Sequence, residues 1–170
     1  MSNGVTIVEF KMLLRLFMLF FFCIATACGA AVPINEPVQG WLGWRGPDQN
    51  GVSKEVSLPV KLSSEDSLSW RVELSGGGTP LVSNGRVYVF GYRGQGADLQ
   101  EVLLCLEAST GALIWERGFN DFLSDIIYER YSIGSPAVDP ETGNVYLMTS
   151  AGLFVGFDRN GNQLFEHSMM

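Results

Sequence analysis

One strand-like stretch occurs twice in this chain, and that repetition limits the possible folds more than any single residue does. Gly111-Ala112-Leu113-Ile114-Trp115-Glu116 returns as Gly161-Asn162-Gln163-Leu164-Phe165-Glu166, an offset of 50 residues (111 to 161). Gly85-Arg86-Val87-Tyr88-Val89 returns as Gly143-Asn144-Val145-Tyr146-Leu147, an offset of 58 (85 to 143). Thr79-Pro80-Leu81-Val82 and Ser135-Pro136-Ala137-Val138 precede them in the same order. A partial third copy lies upstream, where Leu68-Ser69-Trp70-Arg71-Val72-Glu73-Leu74 repeats the pattern of residues 113–119. Such self-similarity marks stacked supersecondary units, each unable to bury its own apolar face without a neighbour.

Each full unit reads as four short strands. In the first, residues 80–83 are followed by the turn signal Asn84-Gly85, an alternating strand at 86–92, a buried strand at 101–107, and a fourth at 112–117 beyond Ala108-Ser109-Thr110-Gly111. The second runs through 135–138, 144–149, 153–158 and 162–167, with turns at 139–143 and 159–161. Four strands per period of roughly 45–50 residues is the blade of a β-propeller. The fold class expected is therefore all-β, with blades of four antiparallel strands at 79–119 and 135–167 and a lone closing strand at 68–74, an incomplete ring. Residues 29–67 read as an irregular amino-terminal strap, because its Pro, Gly and Ser content is interrupted by Trp41 and Trp44, which a disordered linker rarely carries. Propellers close with about 4–8 blades. Two blades and one strand lead to the expectation of an amino-terminal piece of a longer protein, in which residues 68–74 complete the final blade.

The amino terminus carries its own signal. Lys11 and Arg15 precede the apolar run Leu16–Ile24, and the small residues Ala25–Ala31 follow, which is the layout of a secretory signal peptide over residues 1–28. Ala25-Thr26-Ala27 is an A-x-A cleavage site. Ala25-Thr26-Ala27-Cys28-Gly29 is also similar to a bacterial lipobox, with Ala25 where that pattern favours Leu, and on this second reading Cys28 is lipidated and anchors the chain to a membrane. Removal of the signal leaves Cys105 alone of the three cysteines, inside an apolar run where a thiol acts as a small hydrophobe. The formal charge of −7, with no cluster of Lys and Arg, excludes nucleic acid as a partner.

The motif Leu106-Glu107-Ala108-Ser109-Thr110-Gly111-Ala112-Leu113-Ile114-Trp115 resembles the repeat of PQQ-like (quinoprotein-type) β-propellers, commonly LDAxTGxxxW. Trp44-Arg45-Gly46-Pro47-Asp48-Gln49-Asn50-Gly51-Val52-Ser53 resembles the opening motif of secreted bacterial members. Together the matches span residue 41 to the end. The resemblance implies a docking role for Gly111 and Trp115, in which the indole packs against a neighbouring blade near the turn. Trp70 matches for the partial unit. In the last unit Gly161 matches, Phe165 replaces the tryptophan and the turn is one residue shorter, which implies a weaker docking bond there because Phe has no N–H. Two functions follow from the resemblance. One is a non-catalytic binding or scaffold module of the cell envelope, periplasmic or anchored at the outer membrane, whose partners are envelope proteins or further blades and which needs no cofactor. The other is a quinoprotein dehydrogenase using PQQ and calcium to oxidise alcohols or sugars, which requires an adjacent cysteine pair and Glu, Asn and Asp ligands not present in these units. The binding module is the reading adopted.

No catalytic, cofactor-binding or metal residue emerges from the sequence alone. His167, the sole histidine, has no partner at a recognisable spacing. Asp158-Arg159-Asn160-Gly161-Asn162 places its glycine too early for a calcium loop and reads as a turn. Gly91–Gly96 leads into a strand instead of the helix that a phosphate loop requires. Trp70 and Trp115 read as packing residues and not as platforms for a quinone. The most polar group, Asp121, Asp125, Glu129, Arg130 and Tyr131, reads as a solvated loop between blades.

Overall fold

Strands that are apolar on both sides must be covered on both faces, and two of the three longest strands described, 86–93 and 100–107, are of that kind. The computed structural model describes residues 37–60, 68–120 and 132–170. The signal segment with Cys28, and the group Asp121, Asp125, Glu129, Arg130 and Tyr131, lie outside the described residues. The first sheet is antiparallel, in the order β1 (Gly40–Trp41), β2 (Leu81–Ser83), β3 (Arg86–Arg93), β4 (Gln100–Glu107) and β5 (Leu113–Asn120). The second, also antiparallel, runs β6 (Ala137–Val138), β7 (Val145–Met148), β8 (Leu153–Phe157) and β9 (Gln163–Ser168). The described residues contain no α-helix, only a single 3-10 turn at Gly96–Asp98. This is an all-β chain of two propeller-type units without a closed ring.

Period-2 alternation sorts the side chains of the first sheet. Leu81, Tyr88, Phe90, Leu103, Cys105, Trp115 and Phe119 face one way, into a shared core with Val138, Val145, Leu147, Val155 and Phe157 of the second sheet. Val87, Val89, Val102, Leu104 and Leu106 face the other way and are covered by Trp70 and Leu74. Residues 68–74, expected as a strand that completes the final blade, form no ladder among the described residues, and the nearest bridge, Ser75 with Tyr92, lies just beyond them. Trp70 and Leu74 pack on the face of the first sheet.

The strap contributes β1, a strand the sequence did not suggest because two residues carry no periodicity. Gly40 at φ 135 lies against the carbonyl of Val82, an approach no side chain would permit. The strap also reaches the second unit, where the Val38 N–H donates to the Pro140 carbonyl at 2.8 Å and the Val138 N–H to the Leu42 carbonyl at 2.8 Å. It therefore binds the innermost strands of both units together.

Phe157 tests the shared core. It is fully buried, with its ring centroid 6.1 Å from that of Trp115 and 6.2 Å from that of Phe119. Phe157→Ala is expected to lower stability by about 3–5 kcal/mol, whereas Ile114→Ala, at an exposed position, should cost under about 1 kcal/mol. Urea unfolding followed by tryptophan fluorescence measures both.

Candidate functional site

The last turn of each unit is built by an acid. One carboxylate oxygen of Glu107 accepts from the Ser109 N–H (3.0 Å) and hydroxyl (2.6 Å) and from the Thr110 N–H (2.7 Å) and hydroxyl (2.8 Å). These bonds, the side-chain hydroxyls first, hold the Glu107 carboxyl down at about 2. Asp158 does the same work in the second unit. One of its oxygens accepts from the N–H groups of Asn160 and Asn162 at 2.8 Å, the other from the Asn162 side-chain amide at 2.8 Å. Partial desolvation acts to raise the Asp158 carboxyl, and the bonds from Asn162 and Asn160 outweigh it, so the group is lowered. Asp139 is lowered likewise, by Thr142 first, in the turn between β6 and β7. Both oxygens of Asp158 are thus engaged in a turn.

The carbonyl one residue beyond each acid receives a tryptophan from the preceding segment. The Trp70 indole N–H donates to the Ala108 carbonyl at 2.9 Å, and the Trp115 indole N–H to the Arg159 carbonyl at 3.0 Å. A glycine in the left-handed region lies under each ring. A Cβ on Gly111 (φ 72) would come within 2.6 Å of the Trp70 ring, and one on Gly161 (φ 80) within 2.7 Å of the Trp115 ring. Each tryptophan therefore docks on the glycine of the next unit, not its own. The bond at Gly161 is made by Trp115, so Phe165 does not enter it, and the shorter turn still offers its carbonyl. The guanidinium of Arg86 also donates to the Arg159 carbonyl, and that of Arg117 lies 5.7 Å from the centroid of the Trp115 ring. Burial raises Tyr88 and the Cys105 thiol on the same face, which leaves Cys105 a packing residue.

Phe165 stands where Trp115 stands, one unit later. Its ring lies over Gly156 and forms a cluster with Tyr146 (centroids 6.0 Å, stacked) and Phe154 (5.2 Å). In the first unit the corresponding residues, Tyr88, Leu103 and Trp115, are buried against the second unit. In the second unit this face is open, with Met148 45% and Phe165 36% exposed. His167 stands exposed beside it, in register with Phe154. A second open surface lies beside the strap, a groove lined by Trp41, Leu42, Trp44, Val82, Pro136 and Ala137.

Sequence reasoning missed Glu101, which is fully buried and accepts hydrogen bonds from Ser132 and Ser150. Its donors lie 31 and 49 residues away, at spacings that carry no signal. Its place in the alternation, on the face of Leu103 and Cys105, was the available clue. Among the described residues no three His, Cys, Asp or Glu converge as a metal site, and Cys105 is the sole cysteine.

Three substitutions test this geometry. Trp115→Phe removes the N–H and shrinks the buried two-ring indole to one ring, so the lost bond, about 0.5–1.5 kcal/mol, and the cavity left in the core both lower stability. Gly161→Ala should lower it further, since both the backbone and the indole must shift. For Glu107 the folded pKa is depressed, so the turn contributes stability that is present above about 4.5 and lost as the pH falls towards about 2. Glu107→Gln is expected to flatten that part of the stability profile, read as the urea midpoint against pH.

No curated protein sequence matches the chain. A family model does match, over residues 60–169, with the description "Outer membrane protein assembly factor BamB" and a PQQ-type repeat. The repeated glycine and tryptophan, the two antiparallel sheets and this match agree, and the chain belongs to that PQQ-repeat β-propeller family.

Proposed function

We propose that this chain is a non-catalytic binding module of the bacterial cell envelope that works through protein contacts. The observation that carries this reading is the match to a family described as an outer-membrane assembly factor. Tyr146, Phe154, Phe165 and Met148 stand at the positions that, one unit earlier, form the interface with the next unit, so this face suits a further blade of the same protein or an envelope protein. The family description, an outer-membrane assembly factor, supports the envelope setting, and the amino-terminal segment supports export, with Cys28 as the lipid-bearing residue if the anchor is used.

The reading is tested in the envelope itself. A photo-crosslinking residue at Met148 in the exported protein should give discrete adducts to a second protein, and the same residue at Asp98, on the turn between β3 and β4, should not; a crosslink within the same polypeptide would assign the face to a further blade. The purified full chain with PQQ and calcium should give no dye-linked oxidation of alcohols or sugars. Saturable PQQ binding with dye reduction would replace the binding module with a dehydrogenase.

A further inference from the structure

Glu101 carries a carboxylate into the interface between the two sheets, with none of its surface reaching solvent. It lies near the start of β4, and the groups that meet it come from the second unit. One oxygen accepts from the Ser132 N–H at 2.9 Å, the Ser132 hydroxyl at 2.9 Å and the Ser150 hydroxyl at 2.6 Å. The other accepts from the Ser150 N–H at 2.9 Å. The single Ser132 hydroxyl hydrogen is shared with the Gly91 carbonyl at 2.8 Å. Ser132 belongs to the stretch that leads into β6, and Ser150 to the turn between β7 and β8. The acceptor thus belongs to one unit and its donors to the other.

We propose that Glu101 is a conformational clasp that joins the two units into one cooperative body, and that without its carboxylate the second unit opens on its own. Apolar contact between the sheets is strong and non-directional, so it holds them together without fixing one register. A carboxylate accepts through two oxygens and donates nothing, which matches a site that presents only donors. Sliding the second sheet would strand a buried charge and leave four donors unmet, so one register is favoured over its neighbours. Glutamine at this position keeps one acceptor oxygen and turns an NH2 group towards donors. Other directional ties cross between the units: the Thr79 N–H donates to the Ser135 hydroxyl at 2.8 Å, the Gly77 N–H to the Ser132 carbonyl at 3.4 Å, and Trp115 and the strap add those described above.

Native-state hydrogen exchange of the full chain tests the clasp. In Glu101→Gln the amides of β7 and β8 should lose protection by about tenfold or more relative to those of β3 and β4. Ser150→Ala removes the shortest bond without touching β4, and should shift protection in the same selective direction by a smaller factor. Parallel loss in both sheets, or unchanged protection in β7 and β8, overturns the proposal. If Glu101→Gln does not fold, Ser150→Ala alone decides by the same criterion.

Discussion

The hydrogen bond from an indole N–H to a turn carbonyl sets how one unit sits on the next. Hydrophobic burial brings the sheets together, but it has no direction. Direction comes from Trp115, whose N–H must find the Arg159 carbonyl while its ring lies flat over Gly161. Trp70 repeats the arrangement on Ala108 and Gly111. The same bond made twice, on turns of different length, shows what the arrangement needs: a carbonyl held outward by an acid, and a glycine that leaves room for a ring. Glu101 acts at the far end of β4 from Trp115's partner Cys105, so the interface is fixed at two separated points.

Acidic residues play two opposite parts in this economy of polar groups. Glu107, Asp139 and Asp158 stand at the surface and spend their oxygens on local N–H and O–H groups, each stabilising one turn. Such carboxylates gain little from Coulomb attraction and much from the geometry of the donors. Glu101 has the reverse setting, since its donors come from distant segments and water is excluded. The same chemical group therefore shapes a loop in one place and an interface in another, and the difference lies in where its donors originate.

Much of the architecture was legible because repetition and alternation are local signals. The eight strands of the two full units, their order and the turns between them followed from glycine placement and from the pairs at positions 88 and 146, and 115 and 165. What the sequence hid was every relation between segments. That residues 68–74 would cover a face, without forming a ladder, depends on what stands beside them. That Trp115 docks on Gly161 and not on Gly111 requires knowing which way each sheet faces, which no period reveals. The strand at Gly40–Trp41 has only two residues, too few to show any pattern. Glu101 was hidden by habit more than by physics, because a charged residue at the head of an apolar run is read as an end, although its alternation pointed inward.

The strap has a consequence in time. Its bond from Val38 to Pro140 joins residues about a hundred positions apart, and its strand pairs with residues some forty positions downstream. Loop closure over such a distance is slow and comes late, after local hairpins have formed. A growing chain would expose the strap first and satisfy it last, since β6 and the turn after it must be made before the strap can span both units. During that interval Val38, Trp41 and Leu42 have no partners, and a newly made chain would leave them open to any apolar surface nearby. The residues that finally lock the fold are thus the ones that wait longest for it.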